Sequence, residues 1–202
     1  MSKNNEDSIF SMIRLGLILA CYAVVSCSVL AVVNNFTSPK IAQNQVNKVN
    51  DAMKVFFPEE GFSFEEKTEF ESRAEGSVKV EKLIIAYKDG EVFGGAAQVS
   101  GPTYDTATIL VGMKKDGTIK GLQFLKNTDS PGFGLKANDP SFKLANGKTF
   151  YGQFEGKNAK DGFVLGSTFD AISGATITSN GVALLLKAGT ETLLSYVEGN
   201  NE

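Results

Sequence analysis

Asp170-Ala171-Ile172-Ser173-Gly174-Ala175-Thr176-Ile177-Thr178-Ser179-Asn180 reads as a small-residue turn opening into a helix. Ser173-Gly174-Ala175 carries almost no side-chain bulk, so its backbone N–H groups can approach a ligand closely, and Gly174 can take dihedrals closed to other residues. Thr178, Ser179 and Asn180 are all suitable N-caps for the segment Val182 to Val197. Within that segment Val182, Leu185, Leu186, Ala188, Leu193, Leu194 and Val197 form a broad apolar stripe, followed by a polar tail, Glu198 to Glu202. A helix N-terminus behind a bare turn favours anions. An ordinary glycine turn before a capped helix would use the same residues.

The stripe needs a sheet to cover, and the preceding sequence supplies one. Lys82 to Lys88, Asp89-Gly90 and Val92 to Val99 read as a β-hairpin with an Asp-Gly turn. Thr106 to Lys114, Lys115-Asp116-Gly117 and Thr118 to Phe124 repeat the pattern. Sequential short strands followed by a helix imply an α+β fold, with an antiparallel or mixed sheet whose one face the C-terminal helix covers. Gly94-Gly95-Ala96-Ala97 within a strand implies close approach of a helix, a ligand or another backbone. Ser100 to Tyr104 is expected to form a loop between the hairpins. Asn127 to Leu135, which includes Ser130-Pro131-Gly132-Phe133-Gly134, is a rigid Pro-Gly turn carrying one aromatic ring. Phe142, Phe150, Phe154, Phe163 and Phe169 are expected in the core or its rim, and Lys143, Lys148, Lys157 and Lys160 on a solvated face, where they could also balance an anion.

Further upstream, residues 59–76 hold seven Glu against Lys67 and Arg73, and read as an acidic connector or an edge strand. Ser38-Pro39 is a helix start, with Ile41, Val46, Val49, Met53 and Phe56 near helical spacing and Pro58 closing the run. Residues 15–33 form an uncharged run of 19, long enough for one transmembrane helix. Arg14 at its front edge, with Lys3 beyond, favours an inside N-terminus. The run continues past Cys27 without turning polar, unlike a cleaved signal or lipoprotein segment. The resulting organisation is a cytoplasmic N-terminus at 1–14, a membrane helix at 15–33, an amphipathic helix and acidic connector at 34–76, and the sheet domain at 77–202.

Composition excludes several chemistries. The chain has no His, and its two cysteines, Cys21 and Cys27, lie in the apolar run. That removes imidazole acid–base catalysis and leaves the sheet domain without a disulfide or thiolate site. A net charge of −3 gives no electrostatic footprint for nucleic acid. No metal-ligand spacing is present, and no base stands ready to activate Ser173 or Thr176 as a catalytic nucleophile.

Asp170-x-x-Ser173-Gly174-Ala175-Thr176 resembles the covalent flavinylation signature of the FMN-binding domain family. The resemblance implies FMN joined through its phosphate to Thr176 by a flavin transferase, with Asp170 either read by that enzyme or holding the turn. It implies flavin contacts from Ser173, Gly174, Ala175 and Thr178. Asp129 to Gly134 is similar to the family's Glu-Thr-Pro-Gly-Leu-Gly segment, which makes Ser130 a candidate hydrogen-bond donor and Phe133 a candidate ring-packing group. The order of anchor, helix, hairpins, Pro-Gly loop and turn resembles the G subunit of Rnf-type ion-translocating ferredoxin:NAD oxidoreductases. The related C subunit of sodium-pumping NADH:quinone oxidoreductase has the signature on a longer chain. The expectation is a single-pass protein of the cytoplasmic membrane, with its FMN domain outside, passing electrons among the other subunits of the complex and catalysing nothing alone. Another flavinylated extracytoplasmic redox protein, or a membrane-anchored scaffold or binding protein without flavin, would share many of these features.

Overall fold

The computed structural model describes residues 3–199, with side chains from Phe10 onward. The side chain of Lys3 and the end of the polar tail, residues 200–202, lie outside the described residues. The chain divides into two compact units, Met1–Asn47 and Lys48–Glu202.

The first unit is helical throughout its described residues. Helix α1 runs from Lys3 to Phe56, and its stretch from Phe10 is long and apolar enough to cross a membrane. Cys21 and Cys27 are free thiols on its exposed surface. The helix does not restart at Ser38-Pro39 as the sequence implied; Pro39 lies inside it. Proline removes one i to i−4 hydrogen bond, whereas ending and restarting a helix would strand several N–H and C=O groups. Ser38 accordingly caps nothing: its hydroxyl donates to Asn34 Oδ1 at 3.1 Å, and the Thr37 hydroxyl bonds the Val33 carbonyl at 2.7 Å.

The second unit is an α+β domain. Strands β1 (Phe62–Lys67), β2 (Lys79–Lys88), β3 (Glu91–Pro102), β4 (Thr106–Lys114) and β5 (Ile119–Asn127) form an antiparallel sheet in sequence order. The acidic segment thus supplies an edge strand. The β2–β3 turn has both central residues in the left-handed region, Asp89 at φ 54° and Gly90 at φ 84°, as a tight Asp-Gly hairpin requires. The expected loop from Ser100 to Tyr104 is shorter than anticipated, because β3 continues to Pro102 and pairs with Thr106. At Gly94 a Cβ would fall 2.3 Å from the Met113 carbonyl oxygen, and at Gly95 2.6 Å from that of Ile84, so these glycines accommodate neighbouring strands.

Alternation along the strands gives the sheet two buried faces. Leu83, Ile85, Ala97, Val99, Ile109 and Val111 meet helix α2 (Thr176–Gly199) through Val182, Leu185, Leu186 and Leu193. Ile84, Ala86, Ala96 and Leu110 on the other face meet the last turns of α1, from Val49 through Phe56, and Phe57 beyond it. The end of the stretch read as an amphipathic helix thus packs on the sheet. Phe150, Phe154 and Phe169 are buried against one another, with ring centroids 5.5–6.5 Å apart, while Phe142 and Phe163 pack at the margin.

Candidate functional site

Helix α2 begins at Thr176, two residues before the first cap that the sequence suggested. The Ser179 N–H bonds the Ala175 carbonyl at 3.0 Å, which makes Ala175 the last residue before the helix. Thr178 and Ser179 are buried inside the first turn, so neither is a cap. The Ser179 hydroxyl accepts the Ile172 N–H and donates to the Ala175 carbonyl, both at 3.0 Å, tying the preceding turn to the helix. Gly174 sits at φ 79°, a conformation suited to glycine, with the Phe133 ring alongside. The N–H groups of Thr176, Ile177 and Thr178 occupy the positions that an α-helix leaves without intrahelical acceptors.

The Pro-Gly loop is locked to this turn by a buried carboxylate. Asp129 is 2% exposed. Its Oδ1 accepts the Thr103 hydroxyl at 2.6 Å and the Asp105 N–H at 2.8 Å, and its Oδ2 accepts the Thr178 hydroxyl at 2.6 Å. Burial by itself raises the carboxyl pKa, but the hydrogen bonds from Thr103, Thr178 and the Asp105 backbone outweigh it and hold Asp129 below its ordinary value. Gly134 makes the junction possible: a Cβ there would lie 2.5 Å from both Asp129 Oδ2 and Thr178 Oγ1. Asn127 staples the loop at both ends, accepting the Asp129 N–H at 3.0 Å and donating to the Gly134 carbonyl at 3.2 Å. On the far side Gly181 lets α2 approach the β3–β4 turn, since its Cβ would meet Thr103 Cα at 2.7 Å.

The result is a cleft of about 550 Å³ lined by Tyr104, Ser130, Pro131, Phe133, Gly134 and the helix start from Gly174 to Thr178. Thr176, Gly174, Ala175, Thr178, Ser130 and Phe133 thus come together from two distant stretches. Ser173 is exposed beside them without lining the cleft, and Asp170 lies away from its lining. The cleft has no charged side chain in its lining. Lys143, Lys148, Lys157 and Lys160 are elsewhere, with Lys157 bonding the Thr168 carbonyl and Lys160 3.5 Å from Glu198. An anion here would meet the N–H groups of α2. Exposed Tyr104, Phe133 and Ile177 offer apolar faces for a flat ring system, so the lining fits a flavin mononucleotide in both its halves. The family resemblance implied that the loop from Ser100 to Tyr104 lies near the flavin, but sequence reasoning singled out neither Tyr104 nor Ile177 as lining residues, nor Thr103 as a partner of Asp129.

Comparison with known proteins agrees with this geometry. The FMN-binding domain family model matches residues 103–191, and the RnfG N-terminal region model matches residues 1–55. The chain is 32% identical over 186 residues to the G subunit of the Na(+)-translocating ferredoxin:NAD(+) oxidoreductase complex of Acetobacterium woodii, covering 84% of this chain and 85% of that protein. Identity to the G subunit of the proton-translocating ferredoxin:NAD(+) oxidoreductase complex of Clostridium ljungdahlii is 26% over 207 residues, with 98% and 100% covered. The G subunit of the ion-translocating oxidoreductase complex of Vibrio atlanticus is 28% identical over 197 residues, with 93% and 90% covered. With an FMN-binding domain behind an apolar N-terminal helix, the chain belongs to the RnfG family, the G subunits of Rnf-type ion-translocating oxidoreductase complexes.

Proposed function

We propose that this chain is the membrane-anchored electron carrier of an ion-translocating ferredoxin:NAD oxidoreductase complex, with FMN esterified through its phosphate to Thr176. The observation that supports the linkage is the position of Thr176: exposed, first in α2, and on the wall of the cleft built jointly by the Pro-Gly loop and the helix start. Bound FMN supplies the redox chemistry. The protein would hold it through the first-turn N–H groups of α2, which would meet the phosphate charge, the Ser130 hydroxyl, and Phe133 and Tyr104, which would pack against the ring. Asp129 fixes the spacing of loop and helix without entering the cleft.

Other Rnf subunits are the electron-transfer partners in this reading, and a flavin transferase is the maturation partner. One apolar helix anchors the chain, with the N-terminus inside and the FMN domain outside the cytoplasmic membrane. A covalent link has a clear advantage there, since a flavin released outside the membrane would be lost. Intact mass of the chain purified from its native membrane tests the linkage. The expected gain is one FMN less one water, mapped to the peptide containing Thr176 and absent in Thr176→Ala. An unmodified wild-type chain from cells competent for flavinylation would overturn it.

A further inference from the structure

Asp170 presents a question that the cleft does not answer. Its carboxylate makes no bond within the turn that follows it; its hydrogen bond comes from the Asn146 side-chain amide, at 2.8 Å. Lys157 feels the field of Asp170, yet its ammonium bonds the Thr168 carbonyl instead. The backbone of Asp170, by contrast, is clamped. Gln153, 1% exposed, accepts the Asp170 N–H on Oε1 at 2.8 Å and donates from Nε2 to the Asp170 carbonyl at 3.1 Å. The other Nε2 proton goes to the Phe150 carbonyl at 3.0 Å, so both protons of the buried amide are used. Ser179 grips the same segment at Ile172. Between these anchors Ile172 and Ala175 point into the core, while Asp170, Ser173, Gly174 and Thr176 remain exposed.

We propose that Gln153 and Asn146 are positioning residues for flavin attachment, holding the Asp170 carboxylate as a rigid, outward-facing recognition group at a fixed register from Thr176. The inference rests on the Thr176 linkage. In that transfer a dinucleotide flavin is the donor: the Thr176 oxygen forms a bond to the flavin phosphorus, the pyrophosphate P–O bond breaks, AMP departs, and the hydroxyl proton leaves to solvent. A carboxylate that stabilises nothing in its own turn is free to accept charge-assisted hydrogen bonds from the transferase. Gln153 fixes where that carboxylate stands, and Asn146 fixes how it is turned.

The test uses the full-length apo chain in detergent, a purified flavin transferase and FAD, with initial rates followed by intact mass at varied acceptor concentration. Asn146→Asp keeps the Oδ1 acceptor that caps the Lys148 N–H but removes the donor to Asp170 and adds a repelling charge. Gln153→Met preserves volume and removes the clamp. For each, the KM for the acceptor chain is expected to rise about tenfold with kcat little changed, roughly the equivalent of one charge-assisted hydrogen bond. A loss of folding alone would instead lower the modifiable fraction, and a thermal transition measured beside each assay separates the two. If Gln153→Met fails to fold, Asn146→Asp decides. Wild-type KM in folded variants would overturn the positioning role while leaving the linkage intact. A wild-type chain that gains no mass would overturn the linkage, and this inference with it.

Discussion

Asp129 is where its own loop, the turn from Thr103 to Asp105 and the first turn of α2 meet, and its removal should be felt in all three. Asp129→Ala leaves two hydroxyls and one N–H without their acceptor, with an expected loss of about 3 kcal/mol, measured by urea unfolding of the detergent-solubilised protein. The same carboxyl gives the protein an acid-sensitive term. Because Asp129 is held below its ordinary pKa in the folded state, the unfolded chain binds the proton more readily. Its contribution is complete above roughly pH 5 and fades as pH falls through the lowered folded value. Wild type should therefore lose more stability than Asp129→Asn between about pH 6 and pH 3; equal slopes would contradict the assignment. Gly134→Ala offers a steric counterpart. The added methyl must displace Asp129 or Thr178, at an expected cost of about 1–3 kcal/mol and with a misshapen cleft.

At the scale of elements, the face of the sheet opposite α2 is organised by one ring. Gly112 on β4 stands opposite Gly121 on β5. A Cβ on either would come within 2.5 Å of the Phe56 ring, so the glycine pair is a trough in which the end of α1 is seated. Phe56→Ala should cost about 3–5 kcal/mol, and Gly112→Ala about 1–3 kcal/mol, both read from the unfolding midpoint; a neutral Gly112→Ala would mean that Phe56 moves freely. The Asp-Gly turns were legible in the sequence because a tight hairpin is a local problem, solved by the residues that occupy it. The continuous α1 was not, because Ser38-Pro39 carries a strong local helix-start signal that the helical runs on both sides override. Thr178 and Ser179 misled for a similar reason. As isolated residues they suit a cap, but the Thr178 hydroxyl is taken by Asp129, 49 positions away, and that of Ser179 by Ile172 and Ala175 in the preceding turn. Ser130 and Phe133 could be placed in a loop from composition, whereas their meeting with Gly174 required the third dimension.

For the whole molecule, the boundary between the units makes a prediction about truncation. A chain starting at Lys48 keeps Val49, Met53, Phe56 and Phe57, whereas one starting at Pro58 uncovers Ile84, Ala96 and Leu110. The first should unfold cooperatively in the absence of detergent and the second should aggregate; a monomeric, cooperative second fragment would refute the packing assigned to α1. The proposed topology has its own readout. Alkaline phosphatase fused after Glu202 should be active and a green fluorescent protein dark, with the opposite pattern placing the domain inside.

The latch around Asp129 also bears on when the cleft can exist during synthesis. Its hydroxyl partners Thr103 and Thr178 lie 26 and 49 residues away from it in sequence. Closing such loops comes late in folding, after local hairpins have formed. The second of these partners belongs to the final helix, so a ribosome-bound chain lacking α2 has strands but no cleft. Thr176 would acquire its proper surroundings only once α2 has been made and has docked on the sheet, and under the proposed linkage flavin attachment would serve as a chemical stamp on molecules that have passed that step.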